Sequence, residues 1–183
     1  MADPSQVIVL CEDLQAQVFL RRPLLHHGIP KRAILMEPLP SGGAAGRFVL
    51  QRYPDGVLAC RTRAARAATA FVAHCDADPI STVAARHAAF ASTLAGTGQP
   101  ARDPSEAIIE LVPKRNIETW IHLLLGNRTV NEQIDYPKFS DRERECGPAA
   151  EAFADHARMR TSPSPTLPSL EDGLNEFRRL PRT

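Results

Sequence analysis

Four short apolar runs alternate with longer stretches of helical spacing, and this alternation limits the fold more than any other feature of the chain. QVIVLC (6–11), continuous and rich in β-branched residues, AILMEPL (33–39), ended by prolines, ATAFVAHC (68–75) and AIIELVP (107–113) read as strands. The segments between them carry apolar residues at helical spacing. In EDLQAQVFLRRPLLHHG (12–28) these are Val18, Leu20, Leu24 and Leu25, with Gly28 as a stop and Pro23 predicting a kink or a restart. RFVLQRY (47–53) and GVLACRTRAARA (56–67) read as two helices divided at Pro54. ISTVAARHAAFASTLA (80–95) and KRNIETWIHLLLG (114–126) complete the series. Strand followed by helix, repeated, predicts an α/β layer fold with a central, mostly parallel sheet.

The 183 residues suffice for one domain with a small appendage. We divide them into an α/β domain over 1–140 and a helical extension over 141–183. The extension holds a Pro/Ser-rich linker, TSPSPTLPS (161–169), and a terminal helix, LEDGLNEFRRL (170–180), that docks on the body or reaches a partner. Net charge is +1, so global charge argues neither for nor against a nucleic-acid partner. The four cysteines form no CxxC pair and no zinc spacing, and Cys11 and Cys75 read as small core residues. The opening MADPSQ has no basic, then apolar, leader, and no run reaches the ~20 apolar residues of a bilayer span, so a cytoplasmic protein without a membrane partner is expected. PSGGAAG (40–46) fits neither glycine-rich nucleotide signature and reads as a connection.

Carboxylates stand at the ends of two of the strands. Glu12 and Asp13 follow the first run; Asp76 and Asp78 follow the third. Parallel neighbours lie about 4.8 Å apart, so side-by-side tips would bring Glu12, Asp76 and Asp78 onto one patch. Such carboxylates raise one another's pKa, and a hard divalent cation relieves the repulsion. Two ordinary readings compete: Asp78 as a helix cap before Pro79, and Glu12 as a favourable charge in a helix's first turn. His74 reads as a satisfied core histidine.

A glutamate after the first strand and an Asp-x-Asp after a later one, here VIVLCED and FVAHCDAD, resemble the signature of the Toprim domain. VPKRNIETWI (112–121) is similar to a third segment of small stand-alone Toprim-like proteins from bacterial defence and mobile-element neighbourhoods, related to overcoming-lysogenization-type nucleases. The resemblance spans about residues 6 to 139. It implies a Toprim/Rossmann-like three-layer sandwich, Mg²⁺ or Mn²⁺ held by Glu12, Asp76 and Asp78, and phosphodiester hydrolysis on nucleic acid, DNA favoured over RNA. It implies a further acidic residue at Glu118 and, from the neighbourhoods of its relatives, an ATPase partner. The expected glycine after the glutamate is replaced by Asp13, which adds a ligand or starts the helix. No tyrosine is placed as a topoisomerase nucleophile, which leaves hydrolysis. Lys114 and Arg115 are candidates to neutralise charge on the phosphate, and Arg61, Arg63, Arg66 and Arg115 to contact the nucleic-acid backbone. The alternative is a non-catalytic or partner-activated subunit.

Overall fold

The computed structural model describes residues 5–40 and 45–181. Strands β1 (Gln6–Leu10), β2 (Ile34–Met36), β3 (Thr69–His74) and β4 (Ile108–Leu111) form one sheet in the order β2-β1-β3-β4. Every pairing is parallel. Among the described residues the helices are α1 (Leu14–His26), α2 (Ala45–Ala64), α3 (Val83–Gly96), α4 (Ile117–Leu124), α5 (Gly147–Met159) and α6 (Pro168–Phe177). The expected α/β sandwich with a parallel central sheet is borne out.

Alternation along the strands divides the core in two. Val7, Val9, Val72, Ile109 and Leu111 join the side chains of α1, α4, α5 and α6. Ile8, Leu10, Phe71, Ala73 and Ile108 join those of α2 and α3. Successive strand residues point to opposite faces, so helices on both sides turn each strand into the near-continuous apolar run seen in the sequence.

Both prolines lie inside single helices: α1 runs through Pro23 and α2 through Pro54. An interior proline costs about 3 kcal/mol. Here it is offset by an unbroken buried stripe, which in α2 is Val49, Tyr53, Val57 and Cys60. Helical stability in a folded chain comes mostly from such packing. The glycine-rich connection falls partly on 41–44, outside the described residues.

Residues 141–183 supply α5 and α6, whose apolar faces enter the same core as the sheet. Phe153 meets Phe19 edge-on at 5.7 Å, stacks on Trp120 at 5.9 Å and meets Phe177 at 5.3 Å between centroids. Trp120 Nε1 donates to Ser169 Oγ at 2.8 Å. A Cβ on Gly173 would stand 2.2 Å from the Trp120 ring, so only glycine lets α6 lie against the indole.

The β4 edge is closed by side chains rather than by another strand. Arg102 donates to the Ile108 carbonyl at 3.0 Å, and the Glu110 N–H donates to Glu176 Oε2 at 3.1 Å. Arg102 also pairs with Glu176. The buried Glu110 carboxylate accepts from Tyr53 at 2.5 Å and pairs with His87 Nδ1 at 2.6 Å, while His87 Nε2 meets Asp172 at 3.0 Å. This network ties β4 to α2, α3 and α6. Burial alone would lower the His87 pKa; the hydrogen bonds to Asp172 and Glu110 outweigh it and raise the imidazole to about 9.

Two outcomes are expected. Gly173→Ala should destabilise the fold by about 1–3 kcal/mol through overpacking against Trp120, read by urea unfolding; an unchanged midpoint would show that α6 shifts freely. His87 binds its proton more tightly folded than unfolded, so its contribution is complete below its ordinary value of about 6.5 and is lost as pH rises through about 9. Thermal unfolding across that window should show the loss in the wild type and not in His87→Gln.

Candidate functional site

The strand order reverses direction at β1: the chain passes from β1 to β2 on one side and then crosses to β3 on the other. In open parallel sheets ligands bind at such a switch point, outside the carboxyl ends of the strands. Glu12 and Asp76 stand there. Leu10 pairs with Ala73 in register, which sets Glu12 beside Cys75 and Asp76. Pairing with the β4 side continues past β3: the Cys75 N–H donates to the Leu111 carbonyl at 3.1 Å and the Ala77 N–H to the Pro113 carbonyl at 2.9 Å. Asp76 is therefore held by backbone on both sides.

Glu12 lies toward α2 and α3. Its Oε1 accepts from Cys75 Sγ at 2.9 Å, and its carboxylate accepts from the Asp76 N–H. A Cβ on Gly46, in the first turn of α2, would stand 2.7 Å from that oxygen, so glycine there makes room for the glutamate. Burial raises the Glu12 pKa against the Cys75 and Asp76 hydrogen bonds and the nearby Arg86 charge. Burial and the same carboxylate raise the Cys75 thiol.

The Asp76 side chain retains 14% exposure, and its Oδ1 is buried without a hydrogen-bond partner among the described residues. That oxygen is 3.4 Å from His74 Nε2. Burial raises the Asp76 pKa well above the usual value, with further increments from Glu12, Asp13, Glu118 and Asp78. His74 is fully buried, and neither ring nitrogen has a hydrogen-bond partner. It is thus a core histidine but not a satisfied one, and burial lowers it to about 4, so the imidazole is neutral.

Asp13 starts α1: its carboxylate accepts from the Ala16 N–H at 2.9 Å, which answers the question raised by its place after Glu12. Glu118, in the first turn of α4, is buried with Oε1 unpartnered, and burial raises its pKa. Asp78 departs from the strand direction at φ 60° and exposes 63% of its side chain. It does not cap α3, because Thr82 does so through the Ala85 N–H. Asp78 Oδ2 instead accepts from Arg86 Nη2 at 2.7 Å. The expected convergence is thus met by Glu12 and Asp76 and not by Asp78. Among the described residues no group of three His, Cys, Asp or Glu side chains is gathered closely enough to hold a metal ion.

Lys114 braces the loop after β3, donating to the carbonyls of Asp78 at 3.0 Å and Pro79 at 3.2 Å and to that of Ser81. Arg115, at φ 74°, pairs with Asp135 at 2.7 Å. Arg61, Arg63 and Arg66 lie at the other end of the sheet. Arg61 pairs with Glu106 at 2.6 Å, and Arg63 donates to Gln6 at the start of β1. With a rise of 1.5 Å per residue, α2 carries Arg61 about 22 Å from Gly46 and the carboxylates. The cation beside the carboxylates is Arg86, which sequence reasoning missed. Its signal was Thr82 as a cap, which starts α3 later than Ile80 and sets Arg86 one turn in, over the strand tips. Cys75 was missed as a partner of Glu12 because only the register between β1 and β3 reveals it.

The chain matches no protein-family model, no curated protein and no solved structure with which it was compared. Its class is therefore defined by fold and site: a parallel α/β sandwich with paired carboxylates at its switch point. No helix among the described residues is long and apolar enough to cross a membrane.

Asp76 binds its proton more tightly folded than unfolded. Protonation thus favours the fold, fully below the ordinary aspartate value of about 4, and this is lost as pH rises through the raised value. Asp76→Asn should accordingly be more stable than the wild type at about pH 8, with the difference shrinking toward pH 4, as read by thermal unfolding. A less stable variant at every pH would mean that Asp76 is a structural acceptor.

Proposed function

We propose that the chain is a Toprim-like, divalent-cation-dependent phosphodiesterase acting on nucleic acid, with Glu12 and Asp76 at its centre. The observation that carries this reading is the buried, unpartnered Oδ1 of Asp76 beside Glu12 at the switch point of the sheet. An acceptor left buried without a donor costs about 1–3 kcal/mol, and here several carboxylates add their repulsion. Hard carboxylate oxygens are the donor set that Mg²⁺ or Mn²⁺ takes, so the residues present fit such an ion. Glu12 and Asp76 would hold it, with Asp78 within the same loop.

Such an ion supplies Lewis acidity and charge neutralisation toward a phosphodiester. Hydrolysis adds water across one P–O bond: the water oxygen bonds to phosphorus, and the leaving oxygen takes a proton. The chain's own part is positional. The β3–β4 backbone bonds fix Asp76, Cys75 and the Asp76 N–H orient Glu12, and Lys114 holds the loop that carries Asp78.

A second reading, a subunit made active by a partner such as an ATPase, is favoured by one observation: Asp78 is engaged by Arg86 rather than turned toward Asp76. Titration calorimetry with Mn²⁺ separates the two. The wild type should bind the ion and Asp76→Asn should lose at least about tenfold in affinity, after which DNA and RNA strands are screened for cleavage. Binding equal in both proteins would sink the carboxylate reading; binding without cleavage of either strand would favour the partner.

A further inference from the structure

Arg86 is the least explained charge at the site. Its side chain is only 11% exposed, and its Nε is buried without a hydrogen-bond partner among the described residues. Nη2 is spent on Asp78 at 2.7 Å. Nη1 stands 3.7 Å from the point a Cβ on Gly46 would occupy, and Glu12 Oε1 is 2.7 Å from that same point. The guanidinium therefore lies between the two acidic strand tips, carried by the first turn of α3, where the Arg86 backbone N–H donates to the Thr82 carbonyl at 3.0 Å. A planar guanidinium fork set beside the carboxylates is the side chain that matches the geometry of a phosphate group.

Asp78 is built to move in a complementary way. Lys114 anchors the loop through the main-chain carbonyls of Asp78, Pro79 and Ser81, leaving the Asp78 carboxylate out of that anchorage. The side chain is 63% exposed, so it can turn without disturbing the core. It pairs with Arg86, while its charge still raises the pKa of both Glu12 and Asp76.

We propose that Arg86 exchanges partners. In the free protein it holds Asp78; with a strand bound it takes the substrate phosphate and releases Asp78 to join Glu12 and Asp76 around the cation. Substrate and cation would then each strengthen the binding of the other, by the same factor, as linkage requires. The cation site would be complete only with a phosphodiester strand in place. This rests on the carboxylate reading above and adds to it a residue, a substrate group and an order of assembly.

The test is Mn²⁺ titration calorimetry with and without a saturating short DNA strand carrying phosphorothioate linkages, which resists cleavage. In the wild type the strand should tighten Mn²⁺ binding by about tenfold, within the usual range of coupling between sites. Arg86→Gln should bind Mn²⁺ more tightly than the wild type without the strand, because Asp78 is already released, and should gain nothing from the strand. Arg86→Lys, which keeps the charge beside Asp78, should resemble the wild type without the strand, and this controls for the fold. Asp78→Asn should lack the increase with the strand. An equal Mn²⁺ affinity of the wild type in both conditions, or an increase retained in Arg86→Gln, overturns the exchange while leaving the carboxylate site standing. Wild type that binds no Mn²⁺ in either condition overturns both.

Discussion

The parallel register of β1 on β3 is the constraint from which the rest follows. Leu10 opposite Ala73 places two acidic tips side by side at the one point where the sheet order reverses. A slip of one residue would turn each strand's apolar set to the other face. It would also separate Glu12 from Cys75 and from the Asp76 N–H. The register is held by both halves of the core at once, since β1 and β3 are each buried on their two faces. The site is thus positioned by the most buried part of the molecule, while its reactive ends lie just beyond it.

That arrangement leaves a charge imbalance which the protein answers only in part. Arg86 and the Cys75 hydrogen bond compensate Glu12, but Asp76 meets a neutral histidine, an unpaired glutamate and a capping aspartate. Elsewhere the chain satisfies buried charge with care. Glu110 is matched by Tyr53, His87 and Arg102, and Glu176 by Arg102 and a backbone N–H. The β4 network thus gathers more partners around its acids than the β1–β3 tip gathers around Asp76.

Most of the fold was legible because it rests on local patterns. Four apolar runs gave four strands, and Trp120 with its helical neighbours gave α4. Pro54 misled, because a buried stripe that spans the proline outweighs the broken hydrogen bond and the stripe's partners lie far off in sequence; at Pro23 the helix continues rather than restarting. The pairing of Glu12 with Asp76 was legible from strand-tip logic. The Arg86–Asp78 contact was not, since it depends on where Thr82 starts α3 and on a left-handed residue at Asp78. The triple arginine of α2 looked like one patch in sequence, yet Arg61 and Arg63 turn to Glu106 and Gln6, at the end of the sheet away from the acids.

The central claim is that the β1–β3 tip is built for a cation. A crystal of the protein soaked in Mn²⁺, with data collected at the manganese absorption edge, tests it most directly. The account predicts an anomalous peak in contact with oxygens of both Glu12 and Asp76. A peak elsewhere, with these two carboxylates bridged only by water or by a shared proton, would contradict it.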